Sequence, residues 1–104
     1  MIYVYLNQKN RQIVSVKITG HADSTTETLD LVCAEVSAVS VGILNAIDTL
    51  CEGSCLIQME SGFVSIKVQS NSDTLQIILK TLEIQLETIT NTNKKYIKMI
   101  RREV

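Results

Sequence analysis

The chain has 104 residues, 45% hydrophobic and 20% charged, with a formal net charge of −1. That length fits one domain, here residues 1–104, and the apolar content suffices for a single core and excludes disorder over most of the chain. The near-neutral balance excludes a whole-surface electrostatic grip on nucleic acid or anionic membrane, so any such contact has to be local.

The chain opens without a basic stretch before a long apolar run, and no apolar window is expected to approach the ~18 residues that cross a bilayer. These features predict a soluble, cytoplasmic protein. Ile2, Val4 and Leu6 alternate with Tyr3 and Tyr5, and Val14, Val16 and Ile18 alternate with Ser15, Lys17 and Thr19, the period of two that marks half-buried strands. The polar stretch Asn7 to Arg11 joins them as a hairpin. The segment Leu31 to Leu50 is apolar or small on every side, with Glu35 its only charge before Asp48. It predicts a helix buried nearly all round, between sheet and second helix or against a partner chain. Leu56 to Glu60 and Phe63 to Val68 form a second hairpin around Ser61-Gly62, where glycine tolerates positive φ. Leu75, Ile78, Leu79, Leu82, Leu86 and Ile89 recur at helical spacing, with Asp73 and Gln76 placed as a capping-box start, predicting an amphipathic helix over 73–90. Tyr96 to Arg102 closes the sheet as a last strand. The expected architecture is a two-layer α+β domain, a roughly five-stranded sheet under two helices in the order β-β-α-β-β-α-β.

The segment that carries chemistry runs from Gly20 to Gly42. The only histidine, His21, stands just past the second strand, and Cys33 is placed in the first turn of the first helix. A thiol becomes a good nucleophile when a helix N-terminus or a nearby imidazolium lowers its pKa, and both devices are within reach of Cys33. His21 would take the thiol proton and return a proton to a leaving amine. A free cysteine on an apolar helix is more often core than nucleophile, and the pattern by itself leaves both readings standing. Asp30 reads as the helix cap, accepting from backbone N–H groups two or three residues on.

Gly20-His21-Ala22-Asp23, followed by Asp30-Leu31-Val32-Cys33-Ala34 and Val36-Ser37-Ala38, resembles the paired motifs of the ribosomal-processing cysteine proteases called Prp. The order and spacing of the motifs and the length of the chain all resemble that family. The resemblance implies a Cys-His dyad of Cys33 and His21. It also implies removal of a short amino-terminal extension from a large-subunit ribosomal protein, the one conventionally numbered twenty-seven, in support of ribosome assembly, and a homodimer. Gly20, Asp30, Ala34 and Ser37 are the supporting or substrate-binding candidates: Gly20 as the base of a lid over Ala22 to Leu29, a backbone N–H near Cys33 or Ala34 as oxyanion donor, and Ser37 one turn after Cys33 on the same face. Thr28 departs from the family pattern where a glycine is usual, and Glu35 departs where a small residue is usual.

The remaining signals are weaker. Cys51 and Cys55 read as buried or half-buried thiols at a helix end and a strand start; using them with Cys33 and His21 as a four-ligand zinc site would consume the dyad, so no metal and no cofactor are expected. Three cysteines do not make a disulfide framework, and free thiols are expected. Lys94, Lys95, Lys98, Arg101 and Arg102 crowd the carboxyl end, where they would allow a weak local contact with ribosomal RNA; a solvated edge strand guarded by lysine explains them as well. The cluster has no run of interleaved aromatic residues to suggest base stacking. The competing function is a non-enzymatic, ribosome-associated binding module in which the Cys-His motif is structural.

Overall fold

A computed structural model describes residues 1–20 and 27–104, with the side chains of 27–30 outside the described set. The elements run β1 (Ile2–Lys9), β2 (Gln12–Thr19), α1 (Glu27–Leu50), β3 (Cys55–Glu60), β4 (Phe63–Val68), α2 (Asp73–Thr92) and β5 (Ile97–Glu103). One five-stranded sheet forms in the order β3-β4-β2-β1-β5, antiparallel except where β1 meets β5. The α+β architecture and element order are those expected.

Strand alternation decides the layers. Ile2, Val4 and Leu6 of β1, Val16 and Ile18 of β2 and Val64 and Ile66 of β4 turn to one face and are buried. Against them α1 lays Val32, Val36, Ile43 and Ile47, and α2 lays Leu75, Leu79, Leu82 and Leu86, each set at the three- and four-residue intervals of a helical stripe. The connection between β1 and β2 is shorter than the polar stretch suggested. The strands pair as far as Lys9 and Gln12, leaving a two-residue turn in which Asn10 (φ 51°) and Arg11 (φ 66°) both take left-handed backbone, the primed geometry that matches strand twist.

The start of α2 differs from the predicted capping box. Ser72 is the cap, its hydroxyl accepting from the Leu75 N–H at 3.1 Å. Gln76 is thereby free for a tertiary role: its amide accepts from the Ile13 N–H at 2.8 Å and donates to the Ile13 carbonyl at 2.8 Å. Ile13 lies beside the register shift in the first hairpin, so the side-chain amide ties α2 to a place where the ladder is irregular.

The first helix corrects three expectations. It begins at Glu27, so Asp30 is its fourth residue and not a flanking cap, and Cys33 falls in the second turn and not the first. It is also buried along one stripe only. Leu31 is 64% exposed, and Ala34, Ala38, Val41 and Gly42 also face outward, because one sheet and one neighbouring helix cover only half of a cylinder. Finally, Leu31–Leu50 does have the length and composition of a membrane span, with a mean hydropathy of 1.6, contrary to the expectation that no window approaches it. A core helix flanked by few charges meets the same criterion, and the inner stripe of α1 is packed against the sheet.

Candidate active site

Cys33 lies half-buried on the inner side of α1, where the helix passes the ends of β2 and the β3–β4 hairpin. A cleft of about 70 Å³ opens there. Its walls are Ile2 and Ile18 from the central strands, Val36, Ser37 and Ser40 from α1, and Met59, Gly62 and Phe63 from the hairpin, with Gly20 at its edge. The site is apolar for a simple reason: among the described residues it is an end of the core, lined by Ile2, Ile18, Val36 and Val64.

Gly20 is held tightly. Its φ is +98°, its N–H donates to the Gly62 carbonyl at 3.1 Å, and a Cβ on it would lie 2.3 Å from the Met1 carbonyl oxygen. Only glycine fits both the backbone angle and the space. The β3–β4 hairpin is thus hydrogen-bonded to the residue preceding His21 in the chain. His21 and residues 22–26 of the expected lid lie outside the described residues, and its last residues, 27–29, are not loop but the start of α1.

The structure brings three of the sequence candidates, Gly20, Cys33 and Ser37, to one cleft. Ala34 does not line it and is exposed on the other side of α1, and Glu35 is likewise exposed. Asp30 has a described position only in its backbone, one turn before Cys33. As the seventh and eighth helical residues, Cys33 and Ala34 have their N–H groups committed to the helix ladder. The spare amide donors of α1 are those of residues 27–30, so the expectation of an oxyanion donor at Cys33 or Ala34 is corrected. The macrodipole, which fades within the first turn, acts on Cys33 from one turn away.

Ser40 was missed. It is 1% exposed, lines the cleft, and its hydroxyl has no hydrogen-bond partner among the described residues. Thr81, Thr88 and Thr90 of α2 all return their hydroxyls to the carbonyl four residues back, at 2.7 to 2.8 Å, and Ser40 does not. Its spacing of seven from Cys33, two turns along one face, was the available signal. The hairpin wall had none, since it reaches the site only through the pairing of β4 with β2.

The other two thiols are set apart. Cys51 follows the end of α1 and Cys55 begins β3, both half-buried as expected. Burial is the main cause that pushes the Cys55 thiol above the ordinary 9.0, with Cys51 and Asp48 adding to it and a hydrogen bond with Ser54 working against it. Cys55 is held as an unreactive neutral thiol.

Comparison with known proteins fits this site. The family profile described as cysteine protease Prp matches residues 1–98. A ribosomal processing cysteine protease Prp of Staphylococcus aureus is 34% identical over 91 residues, which cover 85% of this chain and 86% of the relative. Two crystal structures of the S. aureus protease superpose closely. The one with a substrate peptide gives a TM-score of 0.89 at 30% identity, the one with a covalently linked product peptide 0.87 at 31%; each comparison covers 97% of this chain and 99% of the other. Between an enzyme and a non-enzymatic binding module, these relationships decide for the enzyme. With Cys33 at an apolar cleft and the Gly-His and Asp-Leu-Val-Cys-Ala motifs in its sequence, the chain belongs to the cysteine protease Prp family.

Proposed function

We propose that the protein is an endopeptidase that removes the short amino-terminal extension of a large-subunit ribosomal protein, the one conventionally numbered twenty-seven, using Cys33 and His21 as a dyad. The observation that carries this reading is the placement of Cys33, alone of the three thiols, in an apolar cleft. The name of the S. aureus relative, a ribosomal processing protease, supports the substrate class.

In this reaction the Cys33 thiol gives its proton to His21, and the Sγ attacks the scissile carbonyl carbon to form a tetrahedral adduct. The adduct collapses with cleavage of the C–N bond as His21 protonates the leaving amine. Water, deprotonated by the same imidazole, then hydrolyses the thioester and restores the thiol. The walls formed by Ile18, Val36 and Phe63 accept apolar substrate side chains and exclude water from the thioester. Ser37 and Ser40 supply hydroxyls toward the bound chain. The exposed outer stripe of α1, with Leu31, Ala34, Ala38 and Val41, supports pairing of two copies, which light scattering would show as a doubled mass.

The test is mass spectrometry of a synthetic peptide spanning the extension of the host's ribosomal protein, incubated with wild type and with Cys33→Ala under reducing conditions. One defined cut by wild type alone is expected. An intact peptide and an intact full-length ribosomal protein with both enzymes would overturn the reading.

A further inference from the structure

Both helices pack on one side of the sheet, and no described element covers the other. Register sets Tyr3 and Tyr5 of β1 on that open face, with Lys98 and Arg102 beside them on β5, Lys17 on β2 and Lys67 on β4. Glu60, at the far corner on β3, is the one acidic side chain whose register position falls on the same face. A chain of net charge −1 therefore carries a locally basic sheet surface with two tyrosines among its cations.

The geometry there is that of a stacking platform. The Tyr3 and Tyr5 rings lie 6.4 Å apart between centroids at an interplanar angle of 26°, and Tyr3 is 36% exposed. The Lys17 Nζ lies 5.0 Å and the Arg102 Cζ 4.9 Å from the Tyr5 centroid. These cations hold the ring in place, and the planar guanidinium extends the platform while offering N–H edges to phosphate. Strand alternation sorts the carboxyl-terminal cluster accordingly. Arg101 turns to the helix layer and is committed to Glu83 and Glu87, whereas Lys98 and Arg102 turn to the open face. Pairing β1 with β5 and β2 thus sets Tyr3 and Tyr5 among cations that are distant from them in sequence.

We propose that this open sheet face binds single-stranded RNA. Stacked bases seat on Tyr3 and on the Tyr5–Arg102 pair, and the phosphates run past Lys98, Lys17 and Lys67. Five strands make a track about 19 Å wide, enough for several nucleotides. The binding does not depend on the thiol chemistry, and the face lies across the sheet from Cys33. It would hold the protein on RNA exposed near its ribosomal protein substrate.

Fluorescence anisotropy with a labelled single-stranded oligoadenylate about ten nucleotides long tests this on the full chain. Saturable binding at low salt is expected, with the log–log salt slope falling by about one for each of Lys98→Gln and Arg102→Gln. Tyr3→Leu, which keeps apolar bulk but loses the ring, should weaken binding about tenfold, and Tyr3→Phe should keep it. An RNA duplex of equal length should compete poorly. Unchanged unfolding midpoints and peptide cleavage in these variants show that the opposite face is intact. Absence of binding at low salt overturns the proposal. So does binding that the charge variants weaken while Tyr3→Leu leaves it unchanged and duplex competes equally, since that is charge attraction without a platform.

Discussion

Gly20→Ala should damage both stability and cleavage, by an amount that can be worked from the structure. A methyl group at this position would meet the Met1 carbonyl oxygen at 2.3 Å, and the partner is backbone, which has little room to yield. The φ of +98° adds strain of about 1–2 kcal/mol for a residue with a Cβ. Relief of the clash draws Gly20 away from the Gly62 carbonyl and weakens a hydrogen bond worth about 1 kcal/mol. The sum, about 3 kcal/mol with the residual clash, lowers the Tm of a chain this size by roughly 10–15 °C. Because Gly20 immediately precedes His21, a displacement of about 1 Å at this anchor should lower kcat/KM for the substrate peptide by about a hundredfold. Gly53→Ala is the control: its φ is +75°, yet nothing lies within 4 Å of the added methyl. It should cost about 1 kcal/mol and leave cleavage untouched. Wild-type Tm and kcat/KM in Gly20→Ala would refute the reasoning; equal losses in both variants would show that backbone angle, and not the contact with Met1, is what matters.

Gln76→Ala removes both bonds to the Ile13 backbone and strands a donor and an acceptor at a fully buried residue, so chemical denaturation should show a loss of about 2–3 kcal/mol, and Gln76→Glu, which keeps the acceptor but not the donor, an intermediate loss. Gly42→Ala places a methyl on the outer side of α1 with nothing within 4 Å, so the helix gains about 1 kcal/mol and Tm should rise; a fall in Tm that depends on protein concentration would instead place Gly42 in an interface between copies. Alkylation of Cys55, followed by peptide mapping, should keep accelerating at pH values above 9.0, where an ordinary thiol is already half ionised. The same shift is a stability statement: folding favours the protonated thiol, so its contribution is complete below the unfolded-state pKa near 9.0 and is lost as pH rises through the higher folded value. A rate that levels off below pH 9 would contradict the raised value.

The elements were legible because each is written in local periodicity. The alternation at Ile2 to Leu6 and at Val16 to Ile18, the Ser61-Gly62 turn and the Leu75 to Leu86 stripe are short-range patterns, whereas the expected alternation fails at Val14, where the register shift gives the buried place to Ile13. The cysteine also announced itself through its motif, and the structure gives it a cleft shared with Gly20 and Ser37. Boundaries and faces were less legible. The start of α1 moved to Glu27, Ser72 replaced Asp73 as the cap of α2, and α1 proved half-covered, because a sequence of small and apolar residues records what a helix can bury and not how many neighbours are present to bury it.

What the sequence by itself determined, then, is the order of strands and helices and the inward faces of β1 and α2. The tertiary structure alone decided how the two hairpins and the last strand are ordered in the sheet, and three consequences follow. Pairing of β4 with β2 carries Met59 and Phe63 to the wall of the cleft that holds Cys33, and seats Gly20, already against Met1 through the β1–β2 pairing, against Gly62. Parallel pairing of β5 with β1 divides the basic tail, Arg101 to the helices and Arg102 to the tyrosines. The physical reason is that strand partners are chosen by burial of whole faces across long loops, a global condition that no window of residues contains.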